Sequence, residues 1–165
     1  MARVIQGRKT AVIDGDFAVF LIGMRINALW KIWKWWPVTR AMPRMLRELT
    51  GHPELGFLHA RMHFGFRTAT LVQYWRSFSH LHDYAKSRTH EHLPAWTAFN
   101  RAAADNHDVG IWHETFLVRA GEYESIYRDM PAWGLGNAGT IVDAVGRAHS
   151  AKGRLGLSQG DDQPV

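Results

Sequence analysis

The sequence predicts an α+β fold of the ferredoxin-like, split-βαβ kind, in the order β-α-β-β-α-β with additions at the C-terminus. Three observations carry this. DFAVFLIGMRIN (16–27) is a long run rich in Phe, Val and Ile, the composition of a strand covered on both faces. GFLHARMHFGFRTATLVQYW (56–75) reads as two strands, about 56–63 and 68–75, joined by a turn at Phe64-Gly65-Phe66-Arg67. Segments of helical spacing separate these from each other and from a fourth apolar run at 109–118.

Each element follows from local pattern. Residues 1–15 are polar and read as an extended arm before a domain spanning 16–149. After the first strand comes ALWKIWKWWPV (28–38), in which Leu29, Ile32, Trp33 and Trp36 recur at i, i+3, i+4 and i+7 with Lys31 and Lys34 opposite. Such a stripe is expected to be core or subunit interface, with an interfacial membrane helix as the weaker alternative. Val38, Met42, Met45, Leu46 and Leu49 then give a helix over about 38–50, stopped by Gly51 and Pro53, with Pro43 kinking it or starting its regular part. On the strand at 56–63, His59, Arg61 and His63 share one face and Leu58, Ala60 and Met62 the other.

Ser77 or Ser79 can cap a helix to about Lys86, with Phe78, Leu81 and Ala85 as its stripe. A second helical piece after Thr89 turns Leu93, Trp96 and Phe99 inward. Beyond the fourth strand, EYESIYRDM reads as a short helix, 131–139 as a glycine-containing loop and 140–149 as a last helix. Residues 150–165 read as a flexible tail. With both main helices on one sheet face, the other face needs a cover. These additions look too small for it, and two such sheets packed face to face in a homodimer would supply it.

Composition narrows the function. The 165 residues suffice for one packed domain, and 8 Trp imply a thick core, an interface or an aromatic pocket. The absence of Cys excludes disulfides, thiolate catalysis and cysteine ligation, and fits a cytoplasmic location. The net charge of +5 raises nucleic-acid binding, but the basic residues are scattered and no recognition motif accompanies them, so no nucleic-acid partner is expected. No signal peptide is readable and no run reaches the ~20 apolar residues of a membrane span. Neither a nicotinamide or flavin fingerprint nor a Ser-His-Asp or Cys-His set is readable.

GIWHETF (110–116) carries the sharpest chemical signal, because it places His113 and Glu114 in the middle of an apolar strand. Burying such groups costs several kcal/mol unless they are paired or face a wet cavity. His113 shares a face with Ile111, Thr115 and Leu117, while Trp112, Glu114 and Phe116 share the other. His113 is therefore either a hydrogen-bonded core residue or a pocket residue, as general base or axial haem ligand. His59 and His63 are either exposed strand residues or pocket lining. His90-Glu91-His92 lacks the i, i+4 spacing of a helical zinc pair, and no metal site is expected. Arg25 at a strand end suits an acidic or phenolate substrate group, or an interface ion pair.

At YWRSFSHLHDYAKSRTHEHLPAWTAF (74–99) the chain resembles the dimeric α+β barrel monooxygenases, which share a strand ending in Trp, a Ser two residues on and a helix rich in acidic and His residues. Here these are Trp75, Ser77 and the helix from Phe78. With FLIGMRIN, AMPRMLREL, GIWHETF and GEYESIYRDMPAWGLG, the span 16–140 resembles the narrower family related to a fungal fumagillin-pathway polyketide monooxygenase. Haem-degrading monooxygenases and the haem-using aldoxime dehydratases are more distant kin. The resemblance implies a homodimer with a small-molecule pocket between sheet and helices, and either no cofactor or haem. Trp75 matches the family's pocket Trp, and Asn27 an Asn near the end of the first strand. The iron-ligating helix His of haem-degrading relatives falls near Tyr84-Ala85, so His80 or His82 would replace it only in a rotated helix.

The expectation is a monooxygenase-like enzyme acting on a small aromatic or polyketide-like molecule. His113 would be the base, Arg25 or Asn27 the anion-stabilising donor, and Tyr74, Trp75, His59, Trp112 and Tyr84 the substrate-binding residues. A haem enzyme with His113 as ligand and a non-catalytic small-molecule-binding dimer are the alternatives. Docking to a membrane surface is not expected.

Overall fold

The computed structural model describes residues 2–87 and 107–158. Its main sheet contains β2 (Phe17–Ile26), β3 (Phe57–Phe64), β4 (Thr68–Trp75) and β5 (Val109–Val118) in the order β3-β4-β2-β5, all antiparallel. The longest apolar run thus becomes a central strand. The chain leaves β2 through α1 (Ile32–Gly51) and β4 through α2 (Phe78–Lys86). This is the predicted ferredoxin-like arrangement. The helical piece expected after Thr89, and the His90-Glu91-His92 motif, lie outside the described residues.

Side chains alternate across each strand, and register decides which share a face. Ala18, Phe20 and Ile22 of β2 stand opposite Trp75, Gln73 and Leu71 of β4. This row faces the helices. Ala18, Leu49, Trp75, Leu81 and Tyr84 form the core, with Phe20, Leu55 and Phe57 packed against it. Trp75, 1% exposed, meets Phe57 edge-on at 5.4 Å and Tyr84 at 5.7 Å between ring centroids. Burying this large aromatic area against Phe57 and Tyr84 stabilises the core.

α1 is one helix of 20 residues that absorbs the Trp-rich segment and holds both Pro37 and Pro43 on its exposed side. The tryptophan stripe is therefore not part of this chain's core. In one continuous helix, the phase set by Met42, Met45, Leu46 and Leu49 against the sheet carries Lys31 and Trp35 inward, and Ile32, Trp33 and Trp36 outward. Lys31 then meets Asp108 at 2.9 Å and the Trp35 indole donates to the Leu29 carbonyl at 3.1 Å.

The C-terminal additions also differ from expectation. Two strands stand where helices were expected. β6 (Tyr127–Met130) and β7 (Thr140–Asp143) flank β1 (Ile5–Val12) in a second antiparallel sheet, order β6-β1-β7. The residues expected as an N-terminal arm therefore supply its central strand. Only α3 (Leu135–Ala138), a 3-10 turn at Gly146–His149 and α4 (Ala151–Arg154) are helical. A Cβ at Gly139 would run into the Val12 backbone, so only glycine lets β7 begin there. The start of the expected tail is folded as well. Ser150 caps α4 through its Oγ, and the Arg154 guanidinium forks onto Glu124 Oε2 at 2.7 and 2.9 Å.

Candidate active site

Between the helix-side face of the main sheet and the two helices lies a cleft enclosing about 400 Å³, open mouth included. Phe20 and Ile22 form its floor beside Gln73 and Trp75; Met42, Met45 and Leu46 of α1 and Leu81 and Tyr84 of α2 form its walls. Paired methionines give an apolar wall that adapts in shape. The polar groups are few and fixed. Gln73 is 6% exposed, and its Oε1 accepts from the Trp75 indole at 2.8 Å. That bond orients the amide and leaves its N–H₂ without a hydrogen bond to any described residue. Tyr84 donates to Glu48 Oε2 at 2.8 Å, joining α2 to α1 across the cleft. A mainly apolar concavity with a few oriented polar atoms is the usual form of a small-molecule site.

The predicted site residues divide between the two sheet faces. Trp75 and Tyr84 line the cleft. His113 stands opposite Ile22 on the helix-side face, its ring 5.6 Å from Phe20, exposed on the edge strand β5. Tyr74, His59, Trp112 and Arg25 lie on the opposite face, as strand alternation requires. Tyr74 and Trp75 therefore cannot wall the same pocket. Asn27, just past β2, donates to the His107 carbonyl at 2.8 Å while its backbone N–H donates to Asp108 O at 2.8 Å. It clasps the end of β2 to the start of β5.

The opposite face has its own cluster beneath α3. His59 stands across from Tyr74. The Arg61 guanidinium lies 2.9 Å above the Trp133 ring, a cation–π contact. Burial, aided by Arg61, lowers the His59 pKa below its ordinary value. Its buried Nε2 meets no hydrogen-bond partner among the described residues. Burial and Tyr127 raise the Tyr74 pKa, against the opposing effect of a hydrogen bond from the Leu135 backbone. At the other end of this face, a Cβ on Gly23 would collide with the Trp112 indole, which occupies the space a side chain there would need.

Sequence reasoning missed Gln73 and Glu48. Gln73 had a readable signal, since a polar residue two before Trp75 on a strand must share its buried face. Glu48 had none, because its partner Tyr84 is 36 positions away. Among the described residues, no group of three or more His, Asp or Glu is placed to hold a metal ion.

Comparison with known proteins adds relatives to this geometry. Residues 17–135 match the family described as Monooxygenase af470-like. Monooxygenase af470 of Aspergillus fumigatus is 29% identical over 156 residues, covering 77% of this chain and 52% of that protein. The chain thus spans about half the length of the curated relative it matches. Among solved structures, aldoxime dehydratase OxdRE in complex with butyraldoxime superposes with TM-score 0.61 at 18% identity, over 84% of this chain and 42% of that one. SnoaB, a cofactor-independent oxygenase from Streptomyces nogalater, matches with TM-score 0.46 at 13% identity, over 63% of this chain and 94% of its own.

Proposed function

The chain belongs to the Monooxygenase af470-like family, and on that premise we propose that it is a monooxygenase-type enzyme whose substrate, a small aromatic or polyketide-like molecule, occupies the cleft between sheet and helices. The observation that carries the proposal is the cleft itself: every residue lining it falls within the span 17–135 that matches the family. An apolar wall with one oriented amide suits a flat, electron-rich ring system better than a charged metabolite.

The proposed chemistry needs no cofactor. A base removes a proton from an activated CH₂ beside an aromatic ketone, and the carbanion gives its electrons to O₂. One oxygen atom becomes the new carbonyl and the other leaves as water, with both CH₂ hydrogens, so that CH₂ + O₂ yields C=O + H₂O. His113 is the base, approaching from the edge strand past Phe20. Gln73, rather than Arg25 or Asn27, donates to the developing oxyanion, because its amide lies within the cleft and is held by Trp75. Trp75 and Tyr84 are walls.

Haem is the alternative, with His113 as ligand. None of the described lining residues is a histidine, so as base or as ligand His113 would act from outside the lining, beside Phe20. Of the α2 histidines, His80 Nδ1 is bonded to Ser77 Oγ at 2.7 Å and the His82 ring lies against Phe78. The proposal extends to a homodimer formed through the uncovered part of the main sheet and to a cytoplasmic setting. No helix of the described residues is long and apolar enough to cross a membrane.

Oxygen uptake with a panel of anthrone-like phenols tests the reading. His113→Ala should lower turnover by about 10²–10⁴-fold and Gln73→Leu by about 10²-fold. Unchanged turnover in His113→Ala removes the base. No uptake with any substrate, together with ligand-induced stabilisation, favours a binding dimer. A Soret band on adding haemin, lost in His113→Ala, favours the haem enzyme.

A further inference from the structure

We propose that the end of the main sheet at which β2 runs into α1, together with the outward stripe of α1, is a docking surface for an anionic membrane. Two separate segments build it. The β3–β4 hairpin tip exposes Phe64 and Phe66, 80% and 90% accessible. The approach to α1 and its first turns expose Trp30, Trp33 and Trp36 at 70%, 67% and 52%, with Ile32 between them. The segments sit at the same end of the sheet, where the Ile26 N–H donates to the Arg67 carbonyl at 2.8 Å just before the chain enters α1. Large aromatics so exposed on two neighbouring loops are costly in water, and are the side chains that settle at a headgroup–acyl boundary.

The charge pattern selects the kind of membrane. Trp33, Trp36, Arg40, Arg44 and Arg47 follow one another at spacings of three and four along α1, and all five are exposed. They form one stripe about 21 Å long, at 1.5 Å per residue. The single acid of α1, Glu48, is turned away from this stripe and accepts from Tyr84. Aromatic residues at one end and arginines along the rest, on one face of a helix lying flat, match a bilayer surface carrying negative headgroups. A second copy fits less well. A two-fold contact through the stripe would bring three arginines from each protomer into one interface without an acid. A nucleic-acid strand would use the arginines and rings, but gains nothing from Ile32 and Pro37 in the same patch.

The experiment sediments the full chain with vesicles of phosphatidylcholine alone or of equimolar phosphatidylcholine and phosphatidylglycerol. Binding should be at least about tenfold tighter to the anionic vesicles and fall with added salt. Trp33→Ser with Phe66→Ser should weaken it by about tenfold or more, and Arg44→Gln with Arg47→Gln should abolish the preference for anionic lipid. All four positions are exposed, so the variants should keep the wild-type circular dichroism and melting temperature. Absence of the chain from the anionic pellet overturns the proposal. So does wild-type affinity in the Trp33/Phe66 variant, or conversion of a dimer to monomers by that variant. Tighter binding to oligodeoxythymidylate than to vesicles assigns the patch to nucleic acid instead.

Discussion

Gly23 and His59 show how single residues set the character of the sheet face turned away from the helices. Gly23 has no side chain because the Trp112 indole lies where one would be. Gly23→Val should therefore lift the ring and destabilise the fold by about 1–3 kcal/mol, read as a lowered urea midpoint with unchanged slope. His59 has a depressed pKa, so the fold favours its neutral form. Above the ordinary value of 6.5 the imidazole is neutral in folded and unfolded chains alike, and stability is flat. Below 6.5 the unfolded chain takes up a proton that the folded one resists, and stability falls until the folded pKa is passed. His59→Leu should remove that acid limb. It should also raise stability at pH 7 by about 1 kcal/mol, since the orphaned Nε2 disappears; a melting temperature below wild type would mean that Nε2 has a partner. At this scale the sequence was informative about residue type and silent about environment. The alternation of β3 placed His59, Arg61 and His63 on one face, but that Trp133 would lie over Arg61 and leave His63 exposed depends on residues about 70 positions further on.

Among the elements, those with strong periodicity were legible and those defined by distant pairing were not. β2, the β3–β4 hairpin, α2 and β5 follow from composition, turn chemistry and the Ser77 cap. α1 was legible as two stretches of helical spacing, 28–38 and about 38–50, and not as the one continuous helix it is, because the prolines suggested a break. Its true phase became visible only with the sheet beneath it. β1, β6 and β7 were unreadable for a physical reason. The pairs of β1 lie more than 100 residues away, and between Ile5 and Arg8 its register with β6 slips where Gly7 adopts φ 81° and its N–H donates to Asp129. A bulge of this kind breaks the period-2 pattern that marks a strand. Because β1 is the central strand of its sheet, removing residues 2–12 should leave β6 and β7 without partners. Limited proteolysis should then cut the shortened chain between 119 and 158 at least about tenfold faster than the full chain, while the helix-side core stays protected. Equal cleavage rates would mean that the small sheet stands without β1. Trp75→Ala, by contrast, empties the main core and should cost about 3–5 kcal/mol, measured by urea denaturation.

Across the whole molecule, the question is what covers the sheet face opposite the helices. The sequence correctly implied that this face needs a cover, and wrongly implied that the chain has none of its own. The C-terminal segment covers the β3–β4 half: Trp133 lies on Arg61, and a side chain at position 134 would press on the Tyr74 hydroxyl. The β2–β5 half stays open, and on β5 Trp112 and Phe116 remain 38% and 50% exposed beside Glu114. That half is where a second copy has room to pack, with its own β5 running across this one. Apolar residues on an edge strand otherwise invite indiscriminate pairing, and a closed two-fold contact removes the hazard. Phe116→Arg places two like charges near the axis of such a contact. Light scattering should then find a dimer for the wild-type chain and a monomer for the variant, and His113 chemistry should survive because the substitution lies on the other face. A wild-type monomer, or a variant that stays dimeric, would move the interface elsewhere and leave Trp112 and Phe116 as ordinary surface.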